Sequence, residues 1–408
     1  MKKILFLFLL ALALRLIFMG AWHTAGRGER LSSDSQSYVD IARNLAAGEG
    51  FLAKEKFPTA RRPPLYPVMI AALLKMQLPF PVAVQIIQAF LGSFSVVLLF
   101  WMGKEVLDAH AGFWAAFFLA IDYESIRNTV AILSETLFIF CVIASFLFLY
   151  RAARNPMISA RLADLGDPLF AGILAGLALL TRDVLIFFFP LAAAWFFLGV
   201  SPKKAAARAG LYLFALMLII TPWMVRNTLL FKKLCLITMS GGYTFYLANN
   251  PYATGGRTGG DWEINKDTRY PENSDSMRSK GPSEENEYLM KLGLKFVSEN
   301  PGQFMGLTFQ KILNTWRPFQ TDAHPMTRLV QGISYLAILS LAGAGIYQSR
   351  RSWLEFLPLY GLFVYVFLLH AVLISGIRYR LPVMPFLMLF AGLALSRVRW
   401  ARKLCTAE

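Results

Sequence analysis

About ten apolar runs divide this chain, and no other feature limits its fold so strongly. A helix needs about 20 mostly apolar residues to cross a bilayer. Candidate spans lie near 4–22, 83–103, 111–122, 133–150, 168–181 and 184–199. A seventh ends at Pro222-Trp223, and three more lie near 328–347, 353–375 and 381–396. A polar link, Asp122–Asn128, joins the third to the fourth, and Thr181-Arg182-Asp183 turns the fifth into the sixth. The chain is 56% hydrophobic and only 16% charged, where soluble domains run nearer half apolar and a quarter charged. Its mean hydropathy is +0.49. The expected class is an all-α polytopic membrane protein.

Two segments fall outside this pattern. One spans 23–82 and the other about 228–327, and between them they hold most of the polar sequence. The expected organisation is a membrane module over 1–227 that includes the loop 23–82, a loop region over 228–327, and C-terminal spans over 328–408. An even number of spans places both termini on one side and both loops on the other. The basic start and apolar middle of Lys2–Gly20 resemble a signal peptide, but the many later spans favour a retained first helix.

The net charge is +16. Lys2, Lys3, Arg151, Arg154, Arg161, Lys203, Lys204, Arg208, Arg350, Arg351, Arg397, Arg399, Arg402 and Lys403 become cytoplasmic if the N-terminus is inside, as the positive-inside rule prefers. Arg27, Arg30, Arg43, Lys54, Lys56, Arg61 and Arg62 then crowd an external loop, and phosphate binding would explain them. Nucleic-acid binding is disfavoured because the basic residues flank apolar spans and line no single face. Cys141, Cys235 and Cys405 form neither a disulfide framework nor a metal-ligand spacing.

The stretch Ser32–Tyr38 opens an amphipathic helix, with Tyr38, Ile41, Ala42 and Leu45 on one stripe and Gly48 and Gly50 at its end. Ser33 with Gln36 reads as a capping box, and an acid in the first turn suits the helix dipole. Asp34 therefore has a structural reading beside a functional one, a base at the water–lipid boundary. The turn Arg61-Arg62-Pro63-Pro64 is similarly double: prolines start a helix at Leu65, and arginines either snorkel to headgroups or bind phosphate oxygens.

The pattern Asp34-x-x-x-Tyr38, Ala42-Arg43-Asn44-Leu45, Gly48-x-Gly50-Phe51 and Arg62-Pro63-Pro64-Leu65-Tyr66-Pro67 resembles the first external loop of GT-C superfamily glycosyltransferases. It is similar to the branch of protein O-mannosyltransferases and the lipid A aminoarabinose transferase. The resemblance implies a GT-C fold, with Asp34 as the catalytic acidic residue, Arg62 with Arg61 at the donor phosphate, and Tyr38 and Tyr66 at the substrate. Protein O-mannosyltransferases usually show Asp-Glu where this chain has Asp34-Ser35, which argues against that strict subgroup.

Later stretches continue the likeness in order. Ser134-Glu135-Thr136-Leu137-Phe138 implies a second acidic residue on the same face, although Glu135 at a helix start also suits the dipole. Arg182 matches the family's arginine between spans five and six; it either faces phosphate or pairs with Asp183 or Asp122. Pro222-Trp223-x-x-Arg226-Asn227 looks like a family marker. Tyr246–Gly256 resembles an Asn-Asn-Pro turn, with Asn249 and Asn250 as possible substrate contacts or simple turn formers. Arg378-Tyr379-Arg380-Leu381-Pro382 resembles an Arg-Tyr-x-x-Pro signature, implying Arg378 and Tyr379 at the lipid phosphate, with snorkelling the alternative.

Together these imply an inverting transferase. It would move a sugar from a polyprenyl-phosphate donor to a lipid, glycan or protein acceptor, on the external face of a bacterial inner membrane. A divalent cation remains open, since relatives differ in metal use. His23, His110, His324 and His370 are scattered and read as structural. Two alternatives stand: a lipid-linked sugar transporter or flippase, and a non-catalytic assembly protein on the same fold. Convergence of Asp34, Glu135, Arg62 and Arg378 on one cavity would favour the transferase; polar groups near mid-bilayer would favour the transporter.

Overall fold

The computed structural model describes residues 1–28, 30–54, 56–154, 162–198, 201–256, 281–320, 323–398 and 401. Arg161, Arg399, Arg402, Lys403, Cys405 and part of the 228–327 loop lie outside them. Among the described residues all regular structure is helical, apart from one isolated bridge between Leu52 and Pro58.

The helices are α1 (Lys2–Thr24), α2 (Ser33–Ala46), α3 (Leu65–Lys75), α4 (Val82–Val106), α5 (Ala109–Ile121), α6 (Tyr123–Asn128), α7 (Glu135–Arg154) and α8 (Leu162–Thr181). There follow α9 (Phe188–Ala192), α10 (Pro202–Phe231), α11 (Gly241–Ala248), α12 (Pro282–Glu299), α13 (Pro301–Trp316), α14 (Pro325–Ser349), α15 (Leu357–Val372) and α16 (Met384–Ser396). By length and composition, α1, α4, α7, α10 and the stretch Pro325–Val372 can each cross a membrane. The protein is an integral membrane protein.

Some expected spans are short, and others differ in their bounds. α5 has 13 residues and α16 has 13, about 20 Å of helix each, short of the roughly 30 Å hydrocarbon core. The run 184–199 is broken into short helical pieces, where Pro190 removes a backbone donor. The seventh span does not stop at Pro222-Trp223 but continues to Phe231. The link Asp122–Asn128 is helical, because the Asp122 carboxylate accepts from the Ser125 amide at 2.8 Å and caps α6. The ninth span starts as a tight turn over Arg350–Phe356 before α15.

α1, α4, α5, α7, α8, α10, α14, α15 and α16 share one large core. Small residues let the helices approach closely. A Cβ on Gly103 of α4 would stand 2.4 Å from Cα of Gly112 on α5, and one on Gly345 of α14 would stand 1.9 Å from the Phe390 carbonyl of α16. Arg15 is 1% exposed inside this core and donates to the Ala11 carbonyl at 3.0 Å. A charge at that depth faces protein rather than lipid. Arg208, expected among cytoplasmic loop charges, is instead buried on α10 and donates to the Ala153 carbonyl at 3.3 Å.

The first polar segment is a built structure and no simple loop. Tyr38, Val39 and Ala42 of α2 pack with Tyr66, Ile70 and Leu73 of α3, and both meet Val84 and Ile132. The cap of α2 is Ser32, one residue before the expected Ser33: its Oγ accepts from the Ser35 amide at 3.1 Å. Arg226 on α10 ties this segment down. It donates to the carbonyls of Thr59 at 2.9 Å and Phe51 at 3.3 Å, and its guanidinium lies 4.8 Å over the Trp223 ring.

Candidate active site

Asp34, Arg62, Glu135 and Arg182 sit at or just beside helix ends, and Arg378 lies in the turn between α15 and α16. Asp34 lies in the first turn of α2, held by the Ser32 cap. Pro63-Pro64 start α3 and leave Arg62 just ahead of it. Arg62 Nη2 donates to Asp34 Oδ1 at 2.7 Å, and Nε donates to Ser37 Oγ at 3.3 Å. Its guanidinium lies 4.9 Å over the Tyr38 ring. From the far end of the chain, Arg378 Nη2 donates to Asp34 Oδ2 at 2.7 Å and to the Tyr379 hydroxyl at 3.1 Å. Gly376 makes that approach possible: at φ +152° it holds a backbone conformation that L side chains rarely adopt. One carboxylate, its side chain 13% exposed, is thus clamped between two guanidiniums.

A second ion pair lies beside the first. Glu135 begins α7, and its Oε1 is 2.8 Å from Nη1 of Arg182, which directly follows α8. Ser134 connects the two groups. Its Oγ is 3.1 Å from the Tyr38 hydroxyl and accepts from Arg182 Nη1 at 3.4 Å. Glu135, Arg182, His370, Arg378, Tyr379 and Leu381 line one cavity.

The electrostatics keep the arginines charged. Burial works against the Arg62 charge, but Tyr38 and Asp34 more than offset it, and its pKa is raised although Arg378 opposes. Burial also works against Arg378, and Tyr379, Glu135 and Asp34 hold its pKa well above the ordinary value.

Seven of the expected residues therefore meet: Asp34, Arg62, Arg378, Tyr379, Glu135, Arg182 and Tyr38. Four stand elsewhere. Arg61 pairs with Glu285 and lies 5.6 Å over the Tyr243 ring. Tyr66 is fully buried, and its hydroxyl donates to Gln88 Oε1 at 2.8 Å. Asn249 and Asn250 are also fully buried. Asn249 Nδ2 donates to the Val372 carbonyl at 3.0 Å, its Oδ1 accepts from Lys311 Nζ at 2.7 Å, and Asn250 Nδ2 donates to the Tyr246 carbonyl at 3.0 Å. Arg182 pairs with Glu135 rather than with Asp183 or Asp122; Asp183 accepts a hydrogen bond from Thr238.

Sequence reasoning gives no site role to Ser37, to Ser134, which it quotes only as the start of the Glu135 motif, or to His370, which it reads as structural. It also missed a neighbouring cavity lined by Asp122, Glu124, Gln331, Tyr335 and Arg380. The Arg380 guanidinium lies 3.6 Å over the Tyr335 ring, so Arg378 and Arg380 serve different cavities, and Leu381 lines both.

A divalent cation does not fit this donor set. Both Asp34 oxygens and Glu135 Oε1 already face guanidiniums. Among the described residues, no group of three or more His, Cys, Asp or Glu side chains is placed to share a cation.

A family model described as dolichyl-phosphate-mannose-protein mannosyltransferase matches residues 61–225, less than half of the chain. Among solved structures, the apo oligosaccharyltransferase of Archaeoglobus fulgidus superposes with a TM-score of 0.60 at 16% identity, over 99% of this chain and 51% of that one. The same enzyme tethered to an acceptor peptide with the NVT sequon gives 0.61 at 16% identity, over 97% and 49%. The chain has the GT-C fold. A third structure, archaeal oligosaccharyltransferase AglB from Archaeoglobus fulgidus with an inhibitory peptide and a dolichol-phosphate, gives a TM-score of 0.56 at 14% identity, over 97% and 50%. The chain spans about half the length of the solved structures it matches. No curated protein sequence matches it.

Proposed function

We propose that the protein is an inverting glycosyltransferase that takes a sugar from a polyprenyl-phosphate donor and passes it to an acceptor on the extracytoplasmic face. The observation that carries this reading is the clamp of Asp34 between Arg62 and Arg378, beside the Glu135–Arg182 pair. A transporter would gather such groups near the middle of its spans. The family model and the archaeal neighbours support lipid-linked glycosyl transfer as the reaction class.

The chemistry follows from charge. The donor is a phosphodiester, and its negative oxygens compete with Asp34 for Arg62 and Arg378. Bidentate guanidinium contacts to phosphate are strong and directional. As the arginines turn to phosphate, the Asp34 carboxylate can accept a proton. The acceptor oxygen attacks the anomeric carbon and forms the new glycosidic bond. The bond from that carbon to the phosphate oxygen breaks, and its electron pair leaves with the polyprenyl phosphate. The acceptor proton goes to Asp34. The arginines stabilise the extra charge on the leaving phosphate, more effectively in a low-dielectric site than in water. Glu135 holds Arg182 in place beside them.

Deleting the gene and profiling lipids and glycans tests the reading. One glycosylated product should disappear while one polyprenyl-phosphate sugar accumulates. Unchanged carriers and glycans would overturn it.

A further inference from the structure

We propose that His370 reads a hydroxyl of the donor sugar, an inference that rests on the transferase reading above. His370 closes α15 and is 5% exposed. Its Nδ1 stands 2.8 Å from the Ile374 carbonyl oxygen. A carbonyl oxygen only accepts, so Nδ1 carries the proton, and the neutral ring keeps a bare lone pair on Nε2. The ring is fixed by stacking on Tyr379, with centroids 4.8 Å apart and planes at 28°.

Nε2 has no hydrogen-bond partner although it is shut away from solvent. An acceptor left unmet in this way is costly, and native structures rarely tolerate it without a role. His370 lines the cavity it shares with Glu135, Arg182 and Arg378. A second proton on the ring would add a cation beside two arginines, with no acceptor in place at Nε2.

The bare lone pair selects the ligand chemistry. A phosphodiester has no proton to give, and its oxygens would repel Nε2; they belong on the arginines. A hydroxyl can donate to Nε2 and accept in return. In the same cavity Arg378 Nε–H is also buried and unmet, so the cavity offers an unmet donor as well as the unmet acceptor. That pair complements a sugar hydroxyl. The cavity thus divides the donor between cations for its phosphate and His370 for the ring attached to it.

Two variants separate this role from a prop for Tyr379. His370→Phe keeps the stacked ring and removes both nitrogens; His370→Gln places an amide near the Nε2 position. The probes are polyprenyl phosphate and the polyprenyl phosphates of mannose, glucose and galactose, bound to full-length protein in detergent. With the sugar carrier that wild type binds best, His370→Phe should weaken binding roughly fivefold to tenfold. It should change binding of the sugar-free carrier by less than about twofold, and His370→Gln should recover part of the loss. Equal weakening of both carriers, no weakening of the sugar carrier, or a wild type that binds no sugar carrier better than the bare phosphate would each overturn the proposal. A wild type that binds no carrier at all would overturn the transferase reading itself, a separate outcome.

Discussion

At the scale of single residues, charge placement governs what this protein tolerates. Glu135 is 3% exposed and depends on Arg182 for its counter-charge. Arg182→Ala should therefore destabilise the protein by about 3–5 kcal/mol, since an uncompensated buried charge is expensive. Replacing both residues with leucine should restore most of the thermal midpoint without restoring transfer. Midpoints measured in detergent check both statements; an Arg182→Ala protein as stable as wild type would refute the first. Lys311 gives a pH signature. It is 1% exposed, and its ammonium donates to Asn249 Oδ1 at 2.7 Å and to the Val372 carbonyl at 3.0 Å, both neutral. Burial lowers its pKa from 10.5 to about 8. Because the folded pKa lies below the unfolded one, the unfolded chain binds more protons between those values. The Lys311 contribution to stability therefore rises as pH climbs from about 8 toward 10.5. Lys311→Met should remove that rise from a plot of midpoint against pH, and an unchanged slope would count against it.

At the scale of elements, the candidate site depends on how α2 and α3 are fastened to the bundle. Arg226 is the main strap, bonding to the carbonyls of Phe51 and Thr59 from α10. Arg226→Met should raise amide exchange across residues 51–60 and reduce transfer while leaving α4 and α7 protected. Exchange confined to wild-type rates would show that the strap is redundant. Much of this level was legible in the sequence. The apolar runs announce helices because a bilayer leaves the backbone few other solutions, and Pro63-Pro64 announces the start of α3. The cap was misplaced by one residue because Ser32 and Ser33 are equally good caps, and only the backbone decides between them. The start of α16 is less legible, since hydropathy reports that 381–396 is apolar and not that its helix begins only at Met384.

At the scale of the whole molecule, the site depends on chain ends meeting. Asp34 and Arg378 are 344 positions apart, yet their side chains are 2.7 Å apart. No local period encodes such a contact, and it became an expectation only through likeness to a family. The same limit explains Tyr66, whose pattern suggests substrate while its buried hydroxyl bonds to Gln88, and His370, which reads as scattered in sequence although it lines the cavity. The fold brings these distant residues together: Glu135, Arg182, His370 and Arg378 line one cavity, and Arg378 joins it to Asp34, which Arg62 also holds. The central claim is that Asp34 takes the acceptor proton there. Turnover of a polyprenyl-phosphate sugar by purified Asp34→Asn protein, folded as judged by its melting temperature, tests it most directly. The account predicts a loss on the order of a hundredfold or more; turnover equal to wild type would contradict it.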